Sequence, residues 1–162
     1  MTIRVRPAGQ FDCRSMAELL NAIIEAGGTT ALARTVTGDD MRASMQEDAE
    51  HSAWHVAVDD ADTVFGFQWI KPAEYLPQEA AEIATFVQIG QTGLGIGSKL
   101  FEATSAAAKR LGYSWINANI RSDNEGGLIY YQSRGFEDYS TIEGYKMADG
   151  QIVNKTLKRY NL

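Results

Sequence analysis

Cysteine and proline are scarce in this chain: one of the first and three of the second among 162 residues. A lone Cys13 cannot close an internal disulfide. A chain of this length needs no such staple, because it can bury roughly two thirds of the surface its unfolded form exposes. A reducing, cytoplasmic setting is therefore the expectation. No apolar run approaches the ~18 residues of a membrane helix, and the alternation in Ile3-Arg4-Val5-Arg6 reads as a strand rather than a secretory signal. Basic charge is also in short supply, with 15 Lys and Arg against 21 Asp and Glu and a net charge of −6. No basic run is present to neutralise phosphates, which argues against a nucleic-acid partner. There is no internal repeat, low-complexity tract or linker, and the length suits one domain over residues 1–162.

What the chain does have is glycine, 15 in all, with Gly90, Gly93, Gly95 and Gly97 close together. The segments around that cluster can be read from periodicity. Ile3 and Val5 mark a first strand ended by Pro7. Met16, Leu19, Leu20, Ile23 and Ile24 share one helical face, with Asp12 or Ser15 as candidate caps and Gly27-Gly28 as the stop. A second helix is predicted over 39–50. Trp54, Val56 and Val58 alternate into a strand, an Asp-rich turn follows, and 64–70 returns as the second arm of a hairpin. A fourth strand is predicted over 82–89, a helix over 98–111 closed by Gly112, a strand over 115–120, and a helix over 124–134 closed by Gly135. Two more strands are predicted around 136–142 and 152–159.

A strand that enters a glycine-rich turn opening a helix can bind an anion. Glycine lets the backbone approach closely, and unpaired amides of the first helical turn point at the ligand along the helix dipole. For Thr92-Gly93-Leu94-Gly95-Ile96-Gly97-Ser98 the natural anion is a phosphate or pyrophosphate; the alternative is a tight turn chosen for packing. The segment is not a P-loop, because Gly97-Ser98-Lys99 reverses the required order. It also departs from the dinucleotide fingerprint, since Ser98 or Leu100 stands where the third glycine belongs.

Thr92-Gly93-Leu94-Gly95-Ile96-Gly97 instead resembles motif A of the GNAT superfamily of acyl-coenzyme A-dependent N-acetyltransferases, Arg/Gln-x-x-Gly-x-Gly/Ala, with Thr92 where Arg or Gln is usual. A second segment, from Asn124 through Gly127 and Tyr131 to Gly135-Phe136, is similar to that family's Asn-x-x-Ala-x-x-x-Tyr-x-x-x-Gly-Phe, with Gly127 for Ala. Residues 21–31 loosely resemble the phosphinothricin and amino-acid acetyltransferase branch. The resemblance implies an α/β (α+β) fold: a mixed, mostly antiparallel sheet of six to seven strands with about four helices, splayed between strands four and five. It also implies acetyl-coenzyme A as cosubstrate, a small-molecule primary amine as acceptor, no metal, and a homodimer as one possible assembly. A non-catalytic acyl-coenzyme A sensor on the same fold is the alternative.

Several residue roles follow from the resemblance alone. Backbone amides of Gly93, Leu94, Gly95, Ile96, Gly97 and Ser98, beside Thr92, would hold the pyrophosphate. Phe86, Val87 and Gln88 would pair with the pantetheine, the Val87 amide meeting the thioester carbonyl. Asn124 would hydrogen-bond the pantetheine or simply cap its helix. Tyr131 would protonate the departing thiolate, and Glu82 would be the base. Thr30 and Arg34 are candidates for a substrate carboxylate. His51 and His55 have a helical metal-pair spacing, but Trp54 to Val58 reads as strand and no third ligand is evident. Cys13 has no base beside it.

Overall fold

The computed structural model describes residues 2–91 and 94–162. The chain runs β1 (Arg4–Pro7), α1 (Cys13–Ala26), α2 (Gly38–Gln46), β2 (Ala53–Val58), β3 (Val64–Lys71), β4 (Ala80–Val87), α3 (Ile96–Arg110), β5 (Trp115–Arg121), α4 (Glu125–Ser133), β6 (Glu137–Lys146) and β7 (Ile152–Asn161), with short 3-10 turns at Gln10–Asp12 and Ala49–His51. The strands form one seven-stranded sheet in the order β1-β2-β3-β4-β5-β7-β6, antiparallel except where β4 meets β5. Among the described residues no helix is long and apolar enough to cross a membrane.

Alternation distributes the side chains of the central strands to two cores. On one face Phe67, Val56 and Trp54 pack under Met16, Leu20 and Ile23 of α1. On the other, Ile70, Ile83, Ile116 and Ala118 meet Phe101 of α3 and Tyr131 of α4. The α1 stop is as expected: Gly27 takes φ 69° and donates to the carbonyls of Ile23 and Ile24. Neither Asp12 nor Ser15 supplies the cap. The Asp12 carboxylate turns back to Arg6 and the Gly9 amide, and α1 continues directly from the 3-10 turn.

Three boundaries differ from the sequence expectation for identifiable reasons. The second helix ends at Gln46 rather than at residue 50, because Glu47 turns extended and Asp48 adopts φ 50°. Its start is a capping box, in which Thr37 accepts from the Asp40 amide and Asp40 from the Thr37 amide. β4 stops at Val87 instead of Ile89, as a turn closes from the Gln91 amide to the Gln88 carbonyl and Gly90 takes φ 85°. The third helix starts two residues earlier than predicted, at Ile96, directly after Gly95 at φ 68°.

Candidate active site

β4 is the strand on which the site is built. It pairs with β3 along its length to Val87, yet its parallel ladder with β5 ends at Ile83–Ala118. Beyond that point the sheet splits. The Gln88 amide donates to the Phe65 carbonyl at 2.8 Å, which sets the phase of the antiparallel ladder. Phe86 and Gln88 therefore spend their backbone groups on β3, whereas Thr85 and Val87 turn theirs toward the split. Of the three residues expected to offer backbone to a pantetheine, only Val87 presents it. Thr85, which sequence reasoning missed, is the second. Phe86 packs its ring on Phe67, with centroids 4.9 Å apart.

The N-terminus of α3 lies beyond the end of β4. The first α-type bond here runs from the Lys99 amide to the Gly95 carbonyl, so the amides of Ile96, Gly97 and Ser98 have no partner within the helix. Gly95 is required by its positive φ. Gly97 is required by contact: a Cβ there would lie 2.5 Å from Tyr130 Cε1. The Tyr130 hydroxyl donates to the Gly97 carbonyl at 2.7 Å, and Arg134 Nη1 donates to Ser98 Oγ at 2.5 Å, so α4 braces this terminus twice. The packing role of a glycine is thus real at Gly97 and coexists with the free amides. Leu94 is half-buried beside Val87. Thr92 and Gly93 fall outside the described residues.

Tyr131 projects from α4 onto the same face as Thr85 and is buried. Its hydroxyl lies 2.8 Å from Thr85 Oγ1. Burial pushes its phenol above the ordinary value; the Thr85 bond opposes this, and Tyr130 and the charge of Glu82 add to it. The phenol is therefore protonated at neutral pH. Gln68 Nε2 donates to Thr85 Oγ1 at 2.9 Å and to the Tyr130 hydroxyl at 3.1 Å.

Glu82 occupies the opposite face of β4, since three residues along a strand change sides. Its Oε1 accepts from Asn117 Nδ2 at 2.9 Å and from the Tyr75 hydroxyl. Tyr75 comes from the β3–β4 loop and also accepts from Asn117 Nδ2 at 3.0 Å and Asn119 Nδ2 at 3.2 Å. Asn117 is fully buried, and its Oδ1 accepts from Tyr139 of β6. Burial pushes the Glu82 carboxyl up; the Tyr75 and Asn117 bonds and the charges of Lys155 and Lys71 pull it down without cancelling the rise. Burial in turn lowers the Lys155 ammonium, which sits 3.6 Å from the Tyr145 ring centroid. A buried carboxylate made easier to protonate, one residue short of the end of the β4–β5 ladder, is a candidate proton acceptor.

The remaining candidates divide. Asn124 caps α4, accepting from the Gly127 amide at 3.0 Å, while its Nδ2 donates to the Thr29 carbonyl at 3.1 Å. Gly127 in place of the family alanine makes room for this, since a Cβ would lie 2.6 Å from Asn124 Nδ2. Thr30 spends its hydroxyl on the Leu32 amide and its carbonyl on Arg121, and Arg34 is exposed. His51 is exposed on a 3-10 turn while His55 is buried in β2, and no group of three or more His, Cys, Asp or Glu suited to a metal gathers among the described residues. Cys13 is buried against Met45. Tyr75, Asn117 and Tyr139 were not singled out from sequence. The one available signal was that Asn117, Asn119 and Arg121 are polar residues at alternate positions in β5, whose other residues are apolar.

Comparison with known proteins agrees with this geometry. Residues 16–136 match the family model described as the acetyltransferase (GNAT) family. Over its whole length the chain is 26% identical to 95% of YwnH of Bacillus subtilis (strain 168), whose name assigns it provisionally as a phosphinothricin acetyltransferase. A 115-residue stretch, 70% of this chain, is 30% identical to 37% of the mycothiol acetyltransferase of Propionibacterium freudenreichii subsp. shermanii. Among solved structures, a GNAT phosphinothricin acetyltransferase from Sinorhizobium meliloti in complex with acetyl-coenzyme A superposes with a TM-score of 0.86 at 18% identity, over 100% of this chain and 89% of that one. An N-acetyltransferase from Staphylococcus aureus Mu50 gives 0.88 at 20% identity, over 99% of each chain. The fold and the family-model match agree, and the chain belongs to the GNAT family as an acyl-coenzyme A-dependent acetyltransferase.

Proposed function

We propose that this protein transfers an acetyl group from acetyl-coenzyme A to the primary amine of a small molecule, by direct attack while both are bound. The observation that carries this reading is the half-paired β4. Its open edge, at Thr85 and Val87, has Glu82 on one face of the strand and Tyr131 on the other. The site fits the coenzyme on two counts: an unpaired strand edge can accept an extended amide chain, and the amides at the start of α3, which have no partner within the helix, suit an anion. The buried carbonyl of the acyl group would meet the Val87 amide, and an amide aimed at a developing oxyanion can contribute roughly 3–4 kcal/mol.

Bound there, the coenzyme supplies a thioester whose acetyl carbon takes the amine and whose sulfur departs. The chain's residues handle the protons. Glu82 takes one from the substrate ammonium, which must be neutral to attack, a role typically contributing ~10²–10⁴-fold. Tyr75 and Asn117 hold the carboxylate for it. Tyr131 gives its hydroxyl proton to the departing sulfur, the second proton that the nitrogen sheds on becoming an amide returns through solvent to the Tyr131 phenolate, and Glu82 releases its own to solvent.

The test is release of free thiol from acetyl-coenzyme A against a panel of primary amines that includes phosphinothricin and the common amino acids. Turnover with at least one amine well above hydrolysis is expected. Tight coenzyme binding with no amine turned over would refute the enzyme reading and favour a sensor.

A further inference from the structure

The hydroxyl protons around Tyr131 can be counted, and the count comes out one way. Gln68 is fully buried at the centre of β3, and its Nε2 contacts both Thr85 Oγ1 and the Tyr130 hydroxyl. Tyr130 has a single proton, and it goes to the Gly97 carbonyl, which can only accept. The Gln68 atom facing Tyr130 must therefore be the donor nitrogen, because an amide oxygen there would face a lone pair. Both Nε2 hydrogens are then spent, one on Tyr130 and one on Thr85. Gln68 Oε1 is left buried without a partner, the cost of holding the amide in this orientation.

Thr85 Oγ1 thus receives a proton from Gln68 and still has its own to place. The nearest acceptor for it among the described residues is the Tyr131 hydroxyl oxygen, 2.8 Å away; the Tyr130 oxygen, which also faces Thr85, already accepts from Gln68. If Thr85 donates to Tyr131, the Tyr131 proton is left with no protein acceptor. It is then free at the face of β4 whose edge opens into the split.

We infer that Gln68 and Thr85 are positioning residues that orient the Tyr131 hydroxyl, a donor chain Gln68→Thr85→Tyr131 that leaves the phenol proton free for transfer; the inference rests on the reading of Tyr131 as the group that protonates the sulfur. The step balances: the Tyr131 O–H bond breaks, the S–H bond forms, and the Thr85 hydroxyl, which keeps its proton, donates to the phenolate that results. The amide of Gln68 loses nothing; by filling one lone pair of Thr85 Oγ1 it turns the Thr85 hydrogen away from Gln68 and toward Tyr131.

Two measurements test this. In the ligand-free protein labelled with [ζ-13C]tyrosine, the Tyr131 resonance is assigned by its absence in Tyr131→Phe. Thr85→Val should move it and Thr85→Ser should leave it in place; an unmoved resonance in Thr85→Val overturns the inference. In thiol release with acetyl-coenzyme A and the best amine of the panel, Thr85→Val should lower kcat about fivefold, the worth of one hydrogen bond. KM for acetyl-coenzyme A should change little, and Thr85→Ser should recover the rate. In a Tyr131→Phe background Thr85→Val should cost nothing further, because its effect passes through the missing hydroxyl. An equal loss in both backgrounds, or an unchanged kcat, overturns the inference. If no amine is turned over by the parent protein, the functional reading fails, and the sign of the resonance shift still decides the orientation of the hydroxyls, because losing an accepted bond and losing a donated bond move the phenol carbon in opposite directions.

Discussion

Replacing Glu82 by glutamine should make the protein more stable and nearly inactive, with a pH signature that identifies the cause. Glutamine keeps an acceptor where Asn117 Nδ2 and the Tyr75 hydroxyl now donate, so the pocket has no reason to collapse. Two charge-assisted bonds of ~1.5–3 kcal/mol each become neutral ones of ~0.5–1.5. Against that loss stands removal of the desolvation penalty of a buried carboxylate, typically several kcal/mol. The carboxyl lies above its ordinary value of 4.5 with burial as the first cause, so desolvation outweighs the bonds and the neutral side chain wins. A raised carboxyl contributes stability below its unfolded value and loses it as pH rises through the folded one. The gain of Glu82→Gln over the parent should therefore be absent near pH 4 and full by pH 8. A margin of about 1 kcal/mol would read as about 2–4 °C in Tm for a domain of this size. Thermal melts from pH 4 to 8, with thiol release on the same samples, make the assay. The kcat should fall ~10²–10⁴-fold. A Tm gap that does not change with pH, or a parent more stable at pH 8, would refute the claim that burial governs Glu82.

Other outcomes follow from the same geometry. Tyr131→Phe should lower kcat tenfold or more, on the general-acid estimate of ~10²–10⁴-fold softened by water as a substitute donor; an unchanged rate in steady-state kinetics removes that role. Gly97→Ala forces a Cβ to 2.5 Å from Tyr130 Cε1, and such overpacking costs about 1–3 kcal/mol. Calorimetric titration should show acetyl-coenzyme A affinity falling with it, since the free amides and the Tyr130 brace share this turn; full affinity would separate them. Asp12→Asn should show the opposite pH behaviour to Glu82→Gln. Burial alone would raise the Asp12 carboxyl, but Arg6 and the Gly9 amide hold it below its ordinary 3.8. Its contribution is therefore present above that value and fades as pH falls through the lowered one. Breaking this pair should cost about 3 kcal/mol at pH 7, judged by melts, and the difference from the parent should close on acidification; a difference that persists at pH 2–3 points to packing.

The order of elements was legible because it rests on local signals. The i, i+3, i+4 face of α1, the hairpin turn before Val64 and the glycines after α1, α3 and α4 act within a few residues of where they stand. The end of the second helix was less legible, since its single buried residue, Met41, gives little period to follow. Glu82, Val87 and Tyr131 were legible through motif offset alone, and the structure puts the three around one split. The partners that tune them were not. Tyr75, Asn117 and Tyr139 lie on three separated segments, and only the parallel register of Glu82 with Asn117 and the fold of β6 over β7 bring them together. Gln68 and Thr85 likewise meet through the antiparallel register of β3 and β4, 17 residues apart in sequence.

On the proposed mechanism, that register also explains why the two proton-handling groups would need the sheet to open. Glu82 and Thr85 are separated by three positions on one strand, so a paired strand would hold them on opposite sides of a continuous sheet. A base on the α1 face and the hydroxyl relay to Tyr131 on the α4 face could then never address one reacting centre. Ending the β4–β5 ladder at Ile83–Ala118 removes the wall one residue before the relay begins. In the proposed reaction the amine would reach the acetyl carbon from the Glu82 side while the sulfur would leave toward Tyr131. The same ending turns the Val87 amide toward the split, with no β5 partner among the described residues, where the proposed reaction would develop charge on the carbonyl oxygen. On the proposed reading, one missing stretch of strand pairing would thus supply the passage, the cosubstrate's edge and the oxyanion donor together.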